Sequence, residues 1–135
     1  MEHSGQKLLR APKQIVVDGD SVSSNPASRW RGLGFVTGNG SSRLLIDYKE
    51  KHPEVYQEIL RLLFAPGEGA GLSHLKIELG ADINSSSGTE PCTMRTAAEQ
   101  ANVTRGAGFR LAADAKRINP NVTADLLRWG EPHWV

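Results

Sequence analysis

The sequence lacks the features that mark several common classes of protein. It contains one cysteine, Cys92, which excludes an internal disulfide and a cysteine-based metal cluster. Its 16 basic and 15 acidic residues leave a net charge of +1, which gives no electrostatic footprint for nucleic acid or an anionic membrane. No apolar run approaches the roughly 18 residues that a transmembrane helix needs. We therefore expect no nucleic-acid partner and no transmembrane segment.

The N-terminus also lacks a targeting signal. Residues 1–14 (MEHSGQKLLRAPKQ) contain no apolar signal-peptide core. On this basis the protein either stays in the cytoplasm or lacks its true N-terminus, so the compartment stays open. The length of 135 residues is enough for one ordinary domain with a core of its own.

Motifs for metals and nucleotides are weak. His74 and His133 have no second ligand at a metal-binding spacing. The glycines at 32 and 34 lack the third glycine before a helix that a dinucleotide site needs. The glycines at 67, 69 and 71 precede a predicted strand instead of following one. We therefore predict no metal and no cofactor.

Hydrophobic periodicity predicts strands that alternate with helices. The predicted strands are residues 14–18, 33–37, 74–79 and 122–127, and the predicted helices are residues 53–64 and 105–118. Residues 38–42 are typical of a polar loop, and residues 44–46 could begin a helical turn. The apolar stripe of the first helix is predicted to be Val55, Ile59, Leu62 and Leu63. This alternation favours β-α-β crossovers, a parallel sheet, and both helices on one side of it.

The predicted strand at 74–79 opens into a long polar loop. Its apolar and charged side chains take opposite faces, because Leu75, Ile77 and Leu79 alternate with Lys76 and Glu78. After a glycine, the loop carries many hydrogen-bonding groups: Asp82, Asn84, Ser85, Ser86, Ser87, Thr89 and Glu90. A strand with charges on one face that opens into such a loop is typical of a sugar or polyol site.

Five motifs occur in an order that resembles a known enzyme family. They are GLGFVTGNGSSRLLIDY, HLKIELGAD, SSGTEP, KRINPNVT and LRWGEPHW. Together they are similar to the N-terminal part of the catalytic barrel of glycoside hydrolase family 59, the galactosylceramidases, over residues 32–135. The resemblance implies an α/β fold that is a partial (β/α)8 TIM barrel, with roughly the first three β/α units. Residues 1–31 would form an N-terminal arm with a short strand, and Lys76 and Glu78 would point into the barrel.

The resemblance also implies a reaction and two sugar contacts. Family members hydrolyse the β-galactosidic bond of galactosylceramide with retention, and they are lysosomal or secreted. Thr89 of the GTEP motif matches a threonine that hydrogen-bonds the galactose, and Trp129 matches a tryptophan beside the sugar ring. Both roles suit the chemistry, because a hydroxyl can donate and accept and an indole packs on the apolar face of a pyranose. The implied partner is a galactoside or galactosyl-lipid substrate.

The catalytic glutamates of the family have no counterpart in this sequence. They follow the fourth and seventh strands of the barrel, whereas this chain stops after what resembles the third, and it contains no Asn-Glu motif. Retaining hydrolysis needs two carboxyls about 5–5.5 Å apart. We therefore predict no catalytic residue and an isolated chain without activity. The alternatives are a galactosidase barrel that begins here, a non-catalytic fragment that is inert or binds sugar weakly, and a barrel glycosidase for another sugar, such as a glucosylceramidase-like enzyme.

Several residues near the polar loops have two interpretations each. Glu78 could be catalytic, or it could belong to a buried ionic network with Lys76. Asp82 and Glu90 could bind the sugar directly, or they could hold their loops through backbone N–H groups. Trp134 could line the site or pack against the protein.

A partial barrel would leave strand edges open. Its last strand would expose unpaired N–H and C=O groups, and its inner face would lack the opposite wall. We therefore expect self-association through the barrel edges, unless the predicted strand at 14–18 covers them.

Overall fold

A computed structural model of the chain describes residues 13–85 and 88–135, which fall into two units divided between residues 30 and 31. In the first unit, two 3-10 turns span Gly19–Ser21 and Pro26–Ser28. Asp18 begins the first turn, because its Oδ1 accepts a hydrogen bond from the backbone N–H of Asp20 at 2.9 Å. Residues 1–12, and Ser86 and Ser87 of the polar loop, lie outside the described residues.

The predicted strand at 14–18 is wrong. None of these residues is part of a strand in the structure. Ile15, Val16 and Val17 are β-branched and therefore favour an extended backbone. An extended segment becomes a strand only when its N–H and C=O groups pair with a neighbouring strand, and sequence periodicity does not report that pairing.

In the second unit, strands and helices follow one another along the chain. The elements are, in order, β1 (Gly34–Thr37), α1 (Asn39–Lys51), α2 (Pro53–Phe64), β2 (His74–Leu79), β3 (Asn84–Ser85), β4 (Gly88–Thr89), α3 (Ala107–Ile118) and β5 (Thr123–Arg128). The strands β1, β2 and β5 form one parallel sheet in the order β1-β2-β5. The strands β3 and β4 pair as a short antiparallel hairpin. The predicted α/β arrangement, with three parallel strands alternating with helices, is confirmed.

Helix α1 occupies a stretch where the sequence predicts a polar loop followed by at most one helical turn. The first turn of the helix consists of asparagine, glycine and serine. These are weak helix formers, so the sequence does not indicate that a helix begins there. The helix forms because Ile46 is buried and its neighbours Leu45 and Tyr48 pack against the hydrophobic core. An ion pair between Arg43 and Asp47, four residues apart, supports the exposed side at 2.9 Å. The predicted loop at 38–42 is therefore wrong from residue 39 onward.

Helix α2 has the predicted bounds, but its predicted apolar stripe is only partly right: Leu63 packs against the hydrophobic core, whereas the fully buried residues are others. The buried residues are Tyr56, Leu60 and Phe64, whereas Val55 and Leu62 are exposed. Both sets of residues follow the helical period, so periodicity alone cannot choose between them. The larger aromatic rings bury more apolar area, and this turns the helix by about one residue relative to the predicted stripe.

The hydrophobic core lies between the sheet and helices α2 and α3, on one side of the sheet. Its buried residues form a single cluster: Tyr56, Leu60, Phe64, Leu75, Ile77, Leu111, Ala112, Ala115 and Val122. The apolar face of β2 therefore packs against the helices, as predicted for Leu75 and Ile77. Leu79 is only half-buried and lies outside this cluster. By alternation, Lys76 and Glu78 take the opposite face, which we call the inner face.

One buried carboxylate joins the three helices. Asp114 of α3 accepts hydrogen bonds from Lys49 Nζ of α1 at 2.6 Å and from the Tyr56 hydroxyl of α2 at 2.7 Å, and it forms an ion pair with Arg117. Burial acts to raise the pKa of Asp114, but the hydrogen bonds from Lys49 and Tyr56 outweigh it and hold this pKa below its usual range. Lys49 and Tyr56 lie 65 and 58 residues from Asp114, so no sequence pattern indicates that these three residues meet.

Two strands form the edges of the parallel sheet. They are β1 on one side and β5 on the other. The register pairs Leu126 of β5 with Ile77 of β2, which places both on the helix-facing side of the sheet. Ile77 is buried in the core, yet Leu126 is 58% exposed. The helix-facing side of β5 is therefore open to solvent.

Candidate functional site

The loops that follow β2 and β5 lie against each other at the carboxyl ends of these strands. A Cβ atom at Gly130 would lie 3.2 Å from the Cβ of Ala81. Farther along, Trp134 Nε1 donates a hydrogen bond to the backbone carbonyl of Met94 at 3.0 Å, which supports the packing interpretation of Trp134. Parallel α/β sheets bind ligands at the carboxyl ends of their strands. The polar loop after β2 and the loop that begins at Trp129 therefore meet where a ligand site is expected.

Glu78 and Trp129 are joined across the inner face at this end of the sheet. Trp129 Nε1 donates a hydrogen bond to Glu78 Oε1 at 2.5 Å. The side chain of Glu78 is buried, whereas Trp129 is 63% exposed. Within the described part of the chain no ion pair joins Lys76 to Glu78, so the predicted ionic network between them is wrong. The indole N–H takes the place of the ammonium group as the partner of this carboxylate.

Glu90 is a second buried carboxylate close to Glu78. Among the described residues, one oxygen of each (Oε2 in both cases) is buried and has no hydrogen-bond partner. Burial, together with the nearby negative charge of Glu78, raises the pKa of Glu90 to about 7. Gly106 leaves room for this side chain, because a Cβ there would lie 2.5 Å from Glu90 Oε1. Oε2 of Glu90 therefore meets neither a backbone N–H nor solvent, and it supports neither predicted role of Glu90.

Thr89 lies directly before Glu90, in the second strand of the hairpin. It pairs with Asn84 across the hairpin, and it is half-buried. The base of the hairpin is closed by the backbone N–H of Asp82, which donates to the carbonyl of Glu90 at 3.3 Å. A parallel bridge between Gly80 and Cys92 continues this contact. Thr89 is therefore held on a short, anchored hairpin beyond the carboxyl end of β2.

Asp82 holds this loop in place. Arg95 donates to both of its carboxylate oxygens, with Nε to Oδ2 at 2.8 Å and an Nη to Oδ1 at 2.9 Å. The backbone N–H of Cys92 also donates to Oδ1, at 3.3 Å. The hydrogen bonds from Arg95 hold the pKa of Asp82 below its usual range. With φ at 59°, Asp82 lies in the left-handed region, where aspartate is tolerated at turns. These contacts support the predicted loop-holding role of Asp82.

A separate open groove lies on the inner face near the amino ends of the strands. It measures about 860 Å³, and its lining includes Val36, His74, Lys76, Thr123 and Asp125. Two contacts cross it, from His74 Nδ1 to Thr123 Oγ1 at 2.8 Å and from His74 Nε2 to Asp125 Oδ2 at 3.4 Å. The Thr123 hydroxyl donates to the carbonyl of Ser73, so it is not activated as a nucleophile. Neither predicted sugar contact lines this groove.

The described residues offer little support for other kinds of site. Residues 13–85 and 88–135 contain no group of three or more His, Cys, Asp or Glu side chains placed to hold a metal ion. Within the same ranges, each helix is too short or too polar to cross a membrane.

Sequence reasoning missed the hydrogen bond between Glu78 and Trp129. The two residues are 51 positions apart, and the sequence signal for each concerns its own strand. The register of β2 and β5 supplies the missing information, because it pairs Glu78 with Leu127, two residues before Trp129. In strand geometry, positions two apart lie on the same face. A correct alignment of the two predicted strands would have brought Glu78 and Trp129 together.

Comparison with known proteins identifies a family. Residues 30–135 match the model of glycosyl hydrolase family 59. Galactocerebrosidase of Homo sapiens is 43% identical over 106 residues, and galactocerebrosidase of Danio rerio is 40% identical over 105 residues. Each alignment covers 77% of this chain and 15% of the relative. The chain therefore spans only a small part of the length of these curated relatives.

Comparison with solved structures supports the fold. The endo-beta1,6-glucanase BT3312 matches with a TM-score of 0.58 and 22% sequence identity, over 76% of this chain and 22% of that chain. At this identity the likeness concerns the fold alone. The family match is of another kind, because it extends over more than three quarters of the sequence and includes all five motifs. The chain belongs to glycosyl hydrolase family 59.

Proposed function

We propose that residues 32–135 form the first three β/α units of a (β/α)8 barrel whose carboxyl end binds the galactosyl group of a β-galactoside, such as galactosylceramide. Family membership and the curated galactocerebrosidases support the substrate class. The three parallel strands with helices on one side support the barrel. On this proposal residues 1–31 are an arm outside the barrel.

Thr89 and Trp129 are the proposed sugar contacts. The assignment depends on one observation: the ring of Trp129 is exposed, while its indole N–H donates a hydrogen bond to Glu78. An indole held at one edge, with its face open to solvent, can pack against the apolar face of a pyranose. Thr89 stands on the hairpin of the adjacent loop, where its hydroxyl would hydrogen-bond a sugar hydroxyl.

The same geometry supports binding without hydrolysis by these 135 residues. A retaining mechanism needs one carboxyl that attacks the anomeric carbon and another that protonates the leaving group. Glu78 is engaged elsewhere, because one of its oxygens accepts a hydrogen bond from Trp129 and the other is buried. Glu90 is buried as well. On this proposal the galactosidase reaction uses carboxyls other than these two, and the chain by itself is a non-catalytic sugar-binding part of the barrel.

The proposal is tested by assaying hydrolysis and binding on the same preparation. We expect no release of fluorophore from a fluorogenic β-galactoside, together with measurable binding of methyl β-D-galactoside by isothermal titration calorimetry. Thr89→Val and Trp129→Ala should each abolish binding, whereas Trp134→Phe should leave it unchanged. Hydrolysis by the chain would contradict the non-catalytic assignment and return attention to Glu78 and Glu90. Binding that survives both site variants would contradict the proposed sugar contacts.

We also propose that the chain associates with a second copy through its open sheet edges. The edge strand β5 leaves Leu126 exposed on the side where the neighbouring strand is covered by helices. Unpaired backbone groups and an exposed apolar residue on an edge strand are features that favour pairing with another chain. Residues 14–18, which the sequence predicted as an alternative cover for these edges, form no strand.

A further inference from the structure

We propose that Glu78 is a positioning residue of the sugar site, which fixes the indole ring of Trp129 so that one face of the ring stays available to a pyranose. This inference rests on the proposed function, because it assigns a partner to the ring that is proposed to contact the sugar. Glu78 acts through Trp129 and does not touch the sugar itself, since one carboxylate oxygen bonds the indole and the other is buried.

The strand register brings the two groups together. Glu78 lies on the inner face of β2, and its partner in the register is Leu127 of β5. Trp129 follows two residues later, so its side chain leaves the chain on the same face. The result is a hydrogen bond of 2.5 Å between the indole N–H and Glu78 Oε1. The orientation of the ring is therefore set by the sheet and not by a flexible loop.

Stability of the core does not explain this hydrogen bond. Trp129 is 63% exposed, so its N–H could donate to water without the help of a protein acceptor. Glu78, in contrast, is 4% exposed, and among the described residues no cation lies within ion-pair distance of it. Burying a carboxylate that has one partner and one unpartnered oxygen costs folding free energy. Such a feature calls for a functional reason, and orienting a sugar-binding ring supplies one.

A carboxylate is well suited to holding an aromatic ring. Hydrogen bonds to an ionised acceptor are shorter and roughly twice as strong as neutral ones. A ring that is already fixed loses less conformational freedom when a ligand packs on it, which improves affinity. Glu78 therefore contributes to sugar binding by pre-organising the surface that the sugar meets.

The first test observes the hydrogen bond directly in the full 135-residue chain. In a ¹⁵N-labelled sample, the three tryptophan indole N–H signals can be separated, and Trp129→Phe identifies the one from Trp129. We expect this signal to lie downfield and to exchange slowly with water. Glu78→Gln should move it upfield, and Glu78→Ala should remove its protection, while the signal of Trp134, which donates to a backbone carbonyl, should stay in place. An unchanged Trp129 signal in both variants would overturn the inference.

The second test measures binding of methyl β-D-galactoside to the same variants. We expect Glu78→Ala to weaken binding about tenfold, which corresponds to about 1.4 kcal/mol. Glu78→Gln keeps the shape of the side chain and a neutral oxygen that can accept the indole N–H. It should therefore bind the sugar more tightly than Glu78→Ala but less tightly than the wild type. The matched control is Asp125→Asn, an exposed carboxylate on the same face of the neighbouring strand, which should bind like the wild type.

The outcomes separate this inference from the function on which it rests. If Trp129→Ala abolishes binding but Glu78→Ala and Glu78→Gln bind like the wild type, the positioning role is wrong and the sugar contact stands. If the wild type binds no galactoside, the proposed function fails and the positioning role fails with it. Because Glu78→Ala could impair folding, thermal unfolding of each variant is recorded, and the properly folded Glu78→Gln variant then decides the result.

Discussion

Among the residues that the structure describes, Glu90 is the carboxyl group whose pKa the fold shifts into the neutral range. Burial raises its pKa to about 7 from an ordinary value of 4.5, and the charge of Glu78 acts in the same direction. The native state therefore holds this proton more tightly than the unfolded chain does. By linkage, the stability that this proton contributes is fully present below about pH 4.5 and is lost as the pH rises through about 7. The carboxyl end of the sheet should accordingly be more stable in mildly acidic than in alkaline solution.

Replacing Glu90 with glutamine should remove this pH dependence. Glutamine cannot ionise, so the free energy of unfolding of Glu90→Gln should fall less than that of the wild type between about pH 5 and pH 8. Urea denaturation at several pH values measures the difference. Glu131→Gln, which changes an exposed glutamate, is the matched control and should follow the wild-type curve. Parallel curves for the wild type and Glu90→Gln would show that the fold does not perturb Glu90.

At the scale of secondary structure elements, the buried side of α2 is open to a paired test. Leu60 is 1% exposed and Leu62 is 45% exposed, although both are leucines on the same helix. Leu60→Ala should cost about 2–5 kcal/mol, because it leaves a cavity in the core. Leu62→Ala should cost less than about 1 kcal/mol. Thermal and urea denaturation measure the loss of unfolding free energy in each variant. A larger loss for Leu62→Ala than for Leu60→Ala would instead support the stripe predicted from the sequence.

The contact between the three helices depends on Asp114. Asp114→Asn leaves Lys49 and Arg117 without their common anion. We therefore expect the free energy of unfolding to fall by about 3 kcal/mol at neutral pH. The folded pKa of Asp114 is lowered, so its contribution is present above about pH 3.8 and is lost as the pH falls through the folded value. The difference in unfolding free energy between Asp114→Asn and the wild type should therefore become smaller in acid.

The control for this variant is another paired aspartate. Asp47 forms an ion pair with Arg43 on the exposed side of α1, so Asp47→Asn should cost less than about 1 kcal/mol. Equal losses for Asp114→Asn and Asp47→Asn in urea denaturation would contradict the role of Asp114 in joining the helices.

The elements that the sequence predicted well are those whose signal is local. The strand at 74–79 and the helix at 53–64 have the predicted bounds because alternation and the helical period are read within one segment. Helix α1 was missed because its first residues are weak helix formers and its stability comes from packing. The strand at 14–18 failed for the opposite reason, since its residues favour extension but find no partner.

The candidate site was predictable only in part. That Thr89 and Trp129 would follow strands at the same end of the sheet could be inferred from parallel topology. The hydrogen bond between Glu78 and Trp129 could not, because it depends on the register of two strands that are distant in the sequence. The raised pKa of Glu90 likewise depends on burial by residues from other elements.

At the scale of the whole molecule, the open edge of the sheet should govern association. If two copies pair through β5, sedimentation velocity should show a concentration-dependent dimer of the wild type. Leu126→Lys should shift this equilibrium to the monomer, because a lysine on an edge strand opposes pairing. Leu44→Lys changes a leucine of α1 that is 57% exposed, and it should leave the dimer intact. A wild type that stays monomeric at all concentrations would contradict self-association.

Titration with two epimeric sugars is the sharpest test of whether the carboxyl end of this sheet binds a β-galactoside. Methyl β-D-galactoside and methyl β-D-glucoside differ only in the orientation of one hydroxyl group. We expect the galactoside to shift the backbone amide signal of Thr89 and the indole signal of Trp129 at a lower concentration than the glucoside does. Equal shifts with both sugars, or no shift of these two signals, would show that this end of the sheet is not a galactoside site.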